Sequence, residues 1–187
     1  MLKRGVLALY WPARKDPFEA CVERATQTLG NLGRVGFARF RRLGRRNADA
    51  LVFEPTRDNV AELLRRGVNR NDVDRQPIPD LGWRLSLWSG GSDGESFSFG
   101  LHCGCYSKWV GNNVLVEFPY SGPLVLANQL EDARAVYTAL LGLWKPEQAT
   151  LCDGDIDWKD DHVLSPTGAC FELLQKRSAH GPNQHSA

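Results

Sequence analysis

The sequence predicts an α+β fold: a mostly antiparallel sheet with about three helices packed on one face. Three observations carry this. WRLSLW (83–88) and SFSFGLHC (96–103) alternate apolar and polar residues with the period of half-buried strands, and the glycine-rich SGGSDGE between them reads as a hairpin loop. NNVLVEFP (112–119) continues the alternation through Val114, Val116 and Phe118, which makes an antiparallel meander with one face on the core. Around it, apolar residues recur at helical spacing in three segments.

The elements follow in order. Val6 to Trp11 reads as a first strand. The basic start and short apolar run superficially match a signal peptide. Tyr10-Trp11-Pro12 cuts that run off, however, and no small-residue cleavage site follows. Asp16-Pro17-Phe18-Glu19 opens a helix, with Asp16 at the capping position, Pro17 first in the helix and Glu19 three residues after the cap. Phe18, Cys21, Val22, Ala25, Leu29 and Leu32 form its buried stripe, and Gly33 follows its end. Phe37 to Leu43 is a short strand in which Phe37 alternates against Arg39 and Arg41. Thr56 caps a second helix containing Val60, Leu63 and Leu64, and Gly67 stops it. Residues 68–80, polar and twice interrupted by proline, form a long loop. After the meander, a third helix runs from about Asn128 to Trp144 with Leu130, Ala133, Tyr137, Leu140, Leu141 and Trp144 on one stripe, and Pro146 ends it. Residues 1–177 read as one domain and 178–187 as a polar tail.

With 187 residues, 42% hydrophobic and 24% charged, the chain is sized and composed for one soluble domain with a proper core. No stretch approaches the roughly 18 consecutive apolar residues of a membrane span. Five cysteines, an odd number without framework spacing, fit free thiols in a reducing cytoplasm. The net charge of +1 hides a split: 16 Lys/Arg against 9 Asp/Glu in residues 1–75, and 7 against 13 in residues 76–187. A generic nucleic-acid binder is more often basic throughout, so the split favours a protein partner with a charged surface.

The densest chemistry is CDGDIDWKDD, Cys152 to Asp161. Asp153, Asp155 and Asp157 have the spacing that begins a calcium loop. That loop needs glycine at its sixth position and a bidentate glutamate at its twelfth, where this chain has Trp158 and Leu164. Asp157-Trp158-Lys159 matches the D-x-K half of a metal-dependent nuclease centre, with Asp80 as the other carboxylate. Against that stand the shortness of the match and the place of Asp80 in a polar loop. What fits best is a docking patch in which Trp158 is an aromatic anchor within an acidic rim formed by Asp153, Asp155, Asp157, Asp160 and Asp161, joined by Asp93 and Glu95 from the hairpin loop.

Other clusters carry less. His102-Cys103-Gly104-Cys105 has no second pair at zinc spacing; His162 and Cys170 stand alone, and adjacent strand residues His102 and Cys103 point to opposite faces. RFRRLGRR (39–46) is the best case for nucleic acid, but alternation also places Arg39 and Arg41 on a strand's wet face, and no recognised nucleic-acid module surrounds them. No glycine-rich phosphate loop or catalytic signature occurs. The residues therefore point to a binding protein without cofactor or metal rather than to an enzyme.

Tyr10-Trp11-Pro12 with Arg14, set between a first strand and a helix bearing Cys21 and Ala25, resembles the start of the immunity protein 52 family of bacterial polymorphic-toxin systems. The likeness continues through Leu85 to Gly90 (L-x-L-W-x-G), Gly104, Asn112 and Asn113 before a strand ending at Pro119, and the helix reaching Trp144. It spans roughly residues 6–146; beyond them the acidic run stands where the family has an aromatic-rich ending. The resemblance implies an α+β immunity protein, of the kind found in type VI secretion and polymorphic-toxin systems. Such a protein binds and neutralises a cognate toxin, commonly a nuclease with a restriction-endonuclease-like fold, and so protects the producing cell. It brings no catalytic residues. Tyr10, Trp11, Arg14, Trp88 and Gly90 are expected to serve structure more than interface. The alternatives are a metal-dependent nuclease using Asp80, Asp157 and Lys159, and a small nucleic-acid binder using Arg39 to Arg46.

Overall fold

The alternation in residues 83–119 becomes the meander it predicts. In the computed structural model, β4 (Trp83–Trp88), β5 (Ser98–Cys103) and β6 (Asn112–Glu117) pair antiparallel in sequence order. Leu85, Leu87, Phe99, Leu101, Val114 and Val116 are buried on the inner face, while Arg84 and Ser86 stand in solvent. The structure describes residues 4–37, 40–42, 51–92, 94–154, 156–158, 164–166 and 169–175.

β1 (Gly5–Trp11) lies between β6 and β7 (Gln148–Asp153), so Val6 faces both Glu117 and Cys152. Its seven residues are all buried, as a strand covered on both faces requires. Leu7, Leu9 and Trp11 enter the main core. Val6, Ala8 and Tyr10 point the other way and pack with Cys152 and Leu115. Two short strands, β2 (Phe40–Arg42) and β3 (Leu51–Phe53), extend the meander side, and β10 (Ala169–Gln175) closes the far edge. The resulting sheet runs β10-β7-β1-β6-β5-β4-β2-β3, every pairing antiparallel. β8 (Ile156–Trp158) and β9 (Leu164–Pro166) form a separate pair.

Three helices, α1 (Phe18–Leu32), α2 (Arg57–Arg66) and α3 (Leu130–Trp144), contribute to the same inner core. Thr56 caps α2, its hydroxyl accepting the Asn59 N–H at 3.3 Å. Gly67 ends α2 because nothing larger fits: a Cβ there would lie 1.8 Å from the Arg84 carbonyl oxygen. The start of α1 departs from the sequence reading. Pro17 holds the cap position without a side-chain bond, and Asp16 instead takes bonds from Arg14 and Arg24. Gly33 stays right-handed and leads into a 3₁₀ turn, Gly33–Val35; Gly36, at φ 77°, supplies the left-handed exit. Val136 joins the expected stripe of α3, with Leu130 and Leu141 only partly buried. Among the described residues, no helix is long and apolar enough to cross a membrane. The expected tail, 178–187, lies outside the described residues.

Candidate partner-binding surfaces

The antiparallel register fixes two ends of the sheet. At one end, Gly5, Cys152 and Asp153, Glu117 and Ser98 sit side by side through consecutive pairings. Two of the predicted acidic positions fall here. Asp153 is the half-buried last residue of β7, followed by a turn in which the Gly154 N–H bonds the Arg4 carbonyl at 2.8 Å. Glu95 is exposed in the β4–β5 hairpin loop and accepts from the Ser92 hydroxyl at 3.0 Å. That loop is pinned by Tyr120 and Ser121, whose N–H groups both donate to the Gly94 carbonyl at 3.0 Å. Topology thus brings two segments far apart in sequence to one end, separated by β1 and β6. The acidic run itself is not a loop throughout: Cys152 and Asp153 belong to β7, and Asp157 and Trp158 belong to β8. Asp93, Asp155, Asp160 and Asp161 lie outside the described residues.

Asp80, proposed from sequence as the second nuclease carboxylate, sits at the opposite end, in the 3₁₀ turn Pro79–Leu81 before β4. The strand it precedes is four strand spacings, roughly 19 Å, from the one that leads to Asp157. The fold does not bring these two halves together. No group of three or more His, Cys, Asp or Glu side chains is placed to hold a metal among the described residues.

At that opposite end the residues of the Tyr10-Trp11-Pro12 stretch do structural work. Trp11 is buried and stacks on Trp144 with ring centroids 5.0 Å apart. Arg14 lies over the Trp11 ring, bonds Asp16 at 2.9 Å and donates to the Trp144 carbonyl at 3.0 Å. Arg24 lies over Trp144 and joins the same carboxylate. Burial works against charge on Asp16, but hydrogen bonds from Arg24 and Arg14 outweigh it and hold the carboxyl below its ordinary range. Trp88 is half-buried opposite Arg41. Gly90, at φ 80°, leaves room for the Arg41 side chain, which a Cβ would meet at 2.8 Å. Of the basic run 39–46, only Phe40 to Arg42 is described, as β2.

Both cysteines of the His102–Cys105 stretch are buried. Cys103 is wholly buried, and a bond with Cys21 together with burial pushes its thiol well up. Burial likewise raises Cys105, whose Sγ donates to the Val110 carbonyl at 3.1 Å. His102, on the other face of β5, is enclosed, with Nε2 2.6 Å from the Leu81 carbonyl. Burial lowers its pKa, so it is neutral at pH 7.

Sequence reasoning missed the loop between β5 and β6. Tyr106 and Trp109 are 38% and 76% exposed, and each carries a lysine on its ring: Lys15 Nζ lies 4.9 Å from the Tyr106 centroid and Lys108 Nζ 4.6 Å from that of Trp109. The loop is held firmly. The buried Asn112 side chain donates to the carbonyls of Pro12 and Cys105 and accepts the Cys105 N–H, all within 3.0 Å. The Tyr106 and Ser107 N–H groups both bond the Asp80 carbonyl. The signal available was YSKW (106–109), two aromatics and a lysine between strands that obey neither strand's alternation.

No curated protein matches the chain. The sequence model of immunity protein 52 matches residues 6–155, covering β1 through β7, the buried Trp11 and Trp144 pair and the aromatic loop alike. On that match, which spans most of its length, the chain belongs to the immunity protein 52 family.

Proposed function

We propose that this immunity protein binds and neutralises one cognate toxin in the cytoplasm of the cell that makes it, and that the toxin is a nuclease of a type VI or other polymorphic-toxin system. The observation that carries the reading is the family match over residues 6–155. The nuclease assignment is what the family resemblance implies, and charge supports it. A nuclease presents a basic cleft to its phosphate substrate, and an acidic surface on the inhibitor speeds and orients docking there. The acidic run from Asp153 to Asp161, with Asp93 and Glu95, is the part of this chain suited to that cleft, and the ends of β7 and the β4–β5 loop share one end of the sheet.

The test is co-expression with the C-terminal domain of the toxin encoded beside this gene, followed by binding kinetics on purified proteins. Wild-type chain should rescue growth and suppress magnesium-dependent DNA cleavage. Replacing Asp153, Asp155, Asp157 and Asp160 with Ser should slow association severalfold and flatten its salt dependence. Unchanged association in that variant would remove the acidic run from the interface. A toxin without nuclease activity would remove the nuclease assignment.

A further inference from the structure

We infer that the β5–β6 loop is a second toxin-docking surface, in which Trp109 and Tyr106 insert among the carboxylates of an acidic patch on the toxin. The inference rests on the toxin-binding reading above and names a part of the interface that reading leaves open.

Three independent features converge on this loop. The first is composition: an exposed Trp and Tyr with Lys15 and Lys108 combine the residue types that dominate interface energetics with positive charge. A single exposed aromatic needs no explanation, but two flanked by cations on one short loop form a patch. The second is rigidity. Bonds from Asn112, Asp80 and Ser107 fix the loop backbone, with the Trp109 N–H 3.3 Å from the Ser107 hydroxyl. Little ordering entropy remains to be lost on binding, the condition under which an exposed aromatic gives affinity. The third is electrostatic balance. The Asp16 carboxylate here is buried and neutralised by Arg14 and Arg24, which leaves Lys15, Lys108, Arg84 and Lys145 to outweigh the half-exposed Asp80 and the exposed Glu147. A positive aromatic surface fits a carboxylate-rich partner.

A stacking platform for single-stranded nucleic acid uses open ring faces. In this loop a lysine ammonium already covers one face of each ring, so a protein partner is favoured. The patch lies across the sheet from the acidic end, one strand length or roughly 20 Å away. That distance is within the breadth of a standard interface, and two poles of opposite sign dictate one docking orientation.

The experiment measures toxin affinity and association rate for the full-length wild type, Trp109→Ala, Trp109→Phe and the double variant Lys15→Glu/Lys108→Glu. All three substituted positions are exposed, two of them ring-covering lysines, and thermal melting monitors the fold. Trp109→Ala should weaken binding roughly thirtyfold, and Trp109→Phe should keep most of the affinity. The lysine reversal should slow association at low salt, with the deficit shrinking as salt rises. If wild type binds and inhibits the toxin while these variants match it, this surface is overturned and the toxin-binding reading stands. If wild type itself neither binds nor inhibits, that reading fails and takes the inference with it. Unchanged toxin affinity alongside loss of self-association, or of single-stranded DNA retention in a gel shift, would assign the loop to a second copy or to nucleic acid and also overturn the proposal.

Discussion

Asp16 and His102 are both enclosed, and the fold settles them in opposite ways. Asp16 keeps its charge because Arg24 and Arg14 bond it despite burial. Its folded pKa is below the ordinary 3.8, so its contribution to stability is complete above that pH and is lost as pH falls through the folded value. His102 is kept neutral chiefly by burial, with the nearby Arg84 acting in the same direction against bonds to Leu81 and Gly111. The unfolded chain takes up a proton on this ring below about pH 6.5 while the folded chain resists. Acidification from pH 7 to 5 should therefore lower the melting temperature through His102 well before Asp16 matters, with a slope of at most about 1.4 kcal/mol per pH unit. A His102→Gln variant, compared by thermal melting across that range, should show a flatter profile. Neither arrangement was visible in sequence. Asp16 reads as a helix cap because the capping pattern is local, whereas the arginines that claim it, one of them on α1 itself, are placed by packing on Trp11 and Trp144.

Among the elements, those with one wet face were legible, while of the two strands covered on both faces β1 was read and β7 was not. β4, β5 and β6 announce themselves because their outward residues are polar while Leu85, Phe99 and Val114 turn inward. β7 is hidden: Ala149 to Cys152 are all buried, so no alternation marks them, and the aspartates that follow draw the eye to solvent. β3 and β8, three residues each, are shorter than any periodicity can register. α2 was readable from its cap, and that bond is open to test. Thr56→Ala should cost about 1 kcal/mol, seen as a lower urea midpoint at unchanged slope. The Asn59 N–H it satisfies is at the helix surface, so water replaces much of what is lost.

For the molecule as a whole, composition foretold a charge split but not its geometry. That Glu95 and Asp153 share an end of the sheet follows only from β1 entering between β6 and β7, a pairing no local pattern encodes. The aromatic loop went unread because an exposed Trp looks like a buried one until the fold is known; only its 76% exposure separates Trp109 from Trp11. The same topology makes a global prediction. A chain ending at residue 147 lacks β7 and β10 and leaves one side of β1 unpaired. It should show no cooperative melting transition by circular dichroism and bind a dye for exposed apolar surface.

The central strand also sets a schedule. GVLALYW is synthesised before both of its partners, which are made only after residue 112 and again after residue 148. Until then seven apolar residues have no sheet to join, and pairing at such separation is intrinsically slow. A nascent copy is thus not yet a working part, and its readiness is timed by the arrival of β7 rather than by the start of translation.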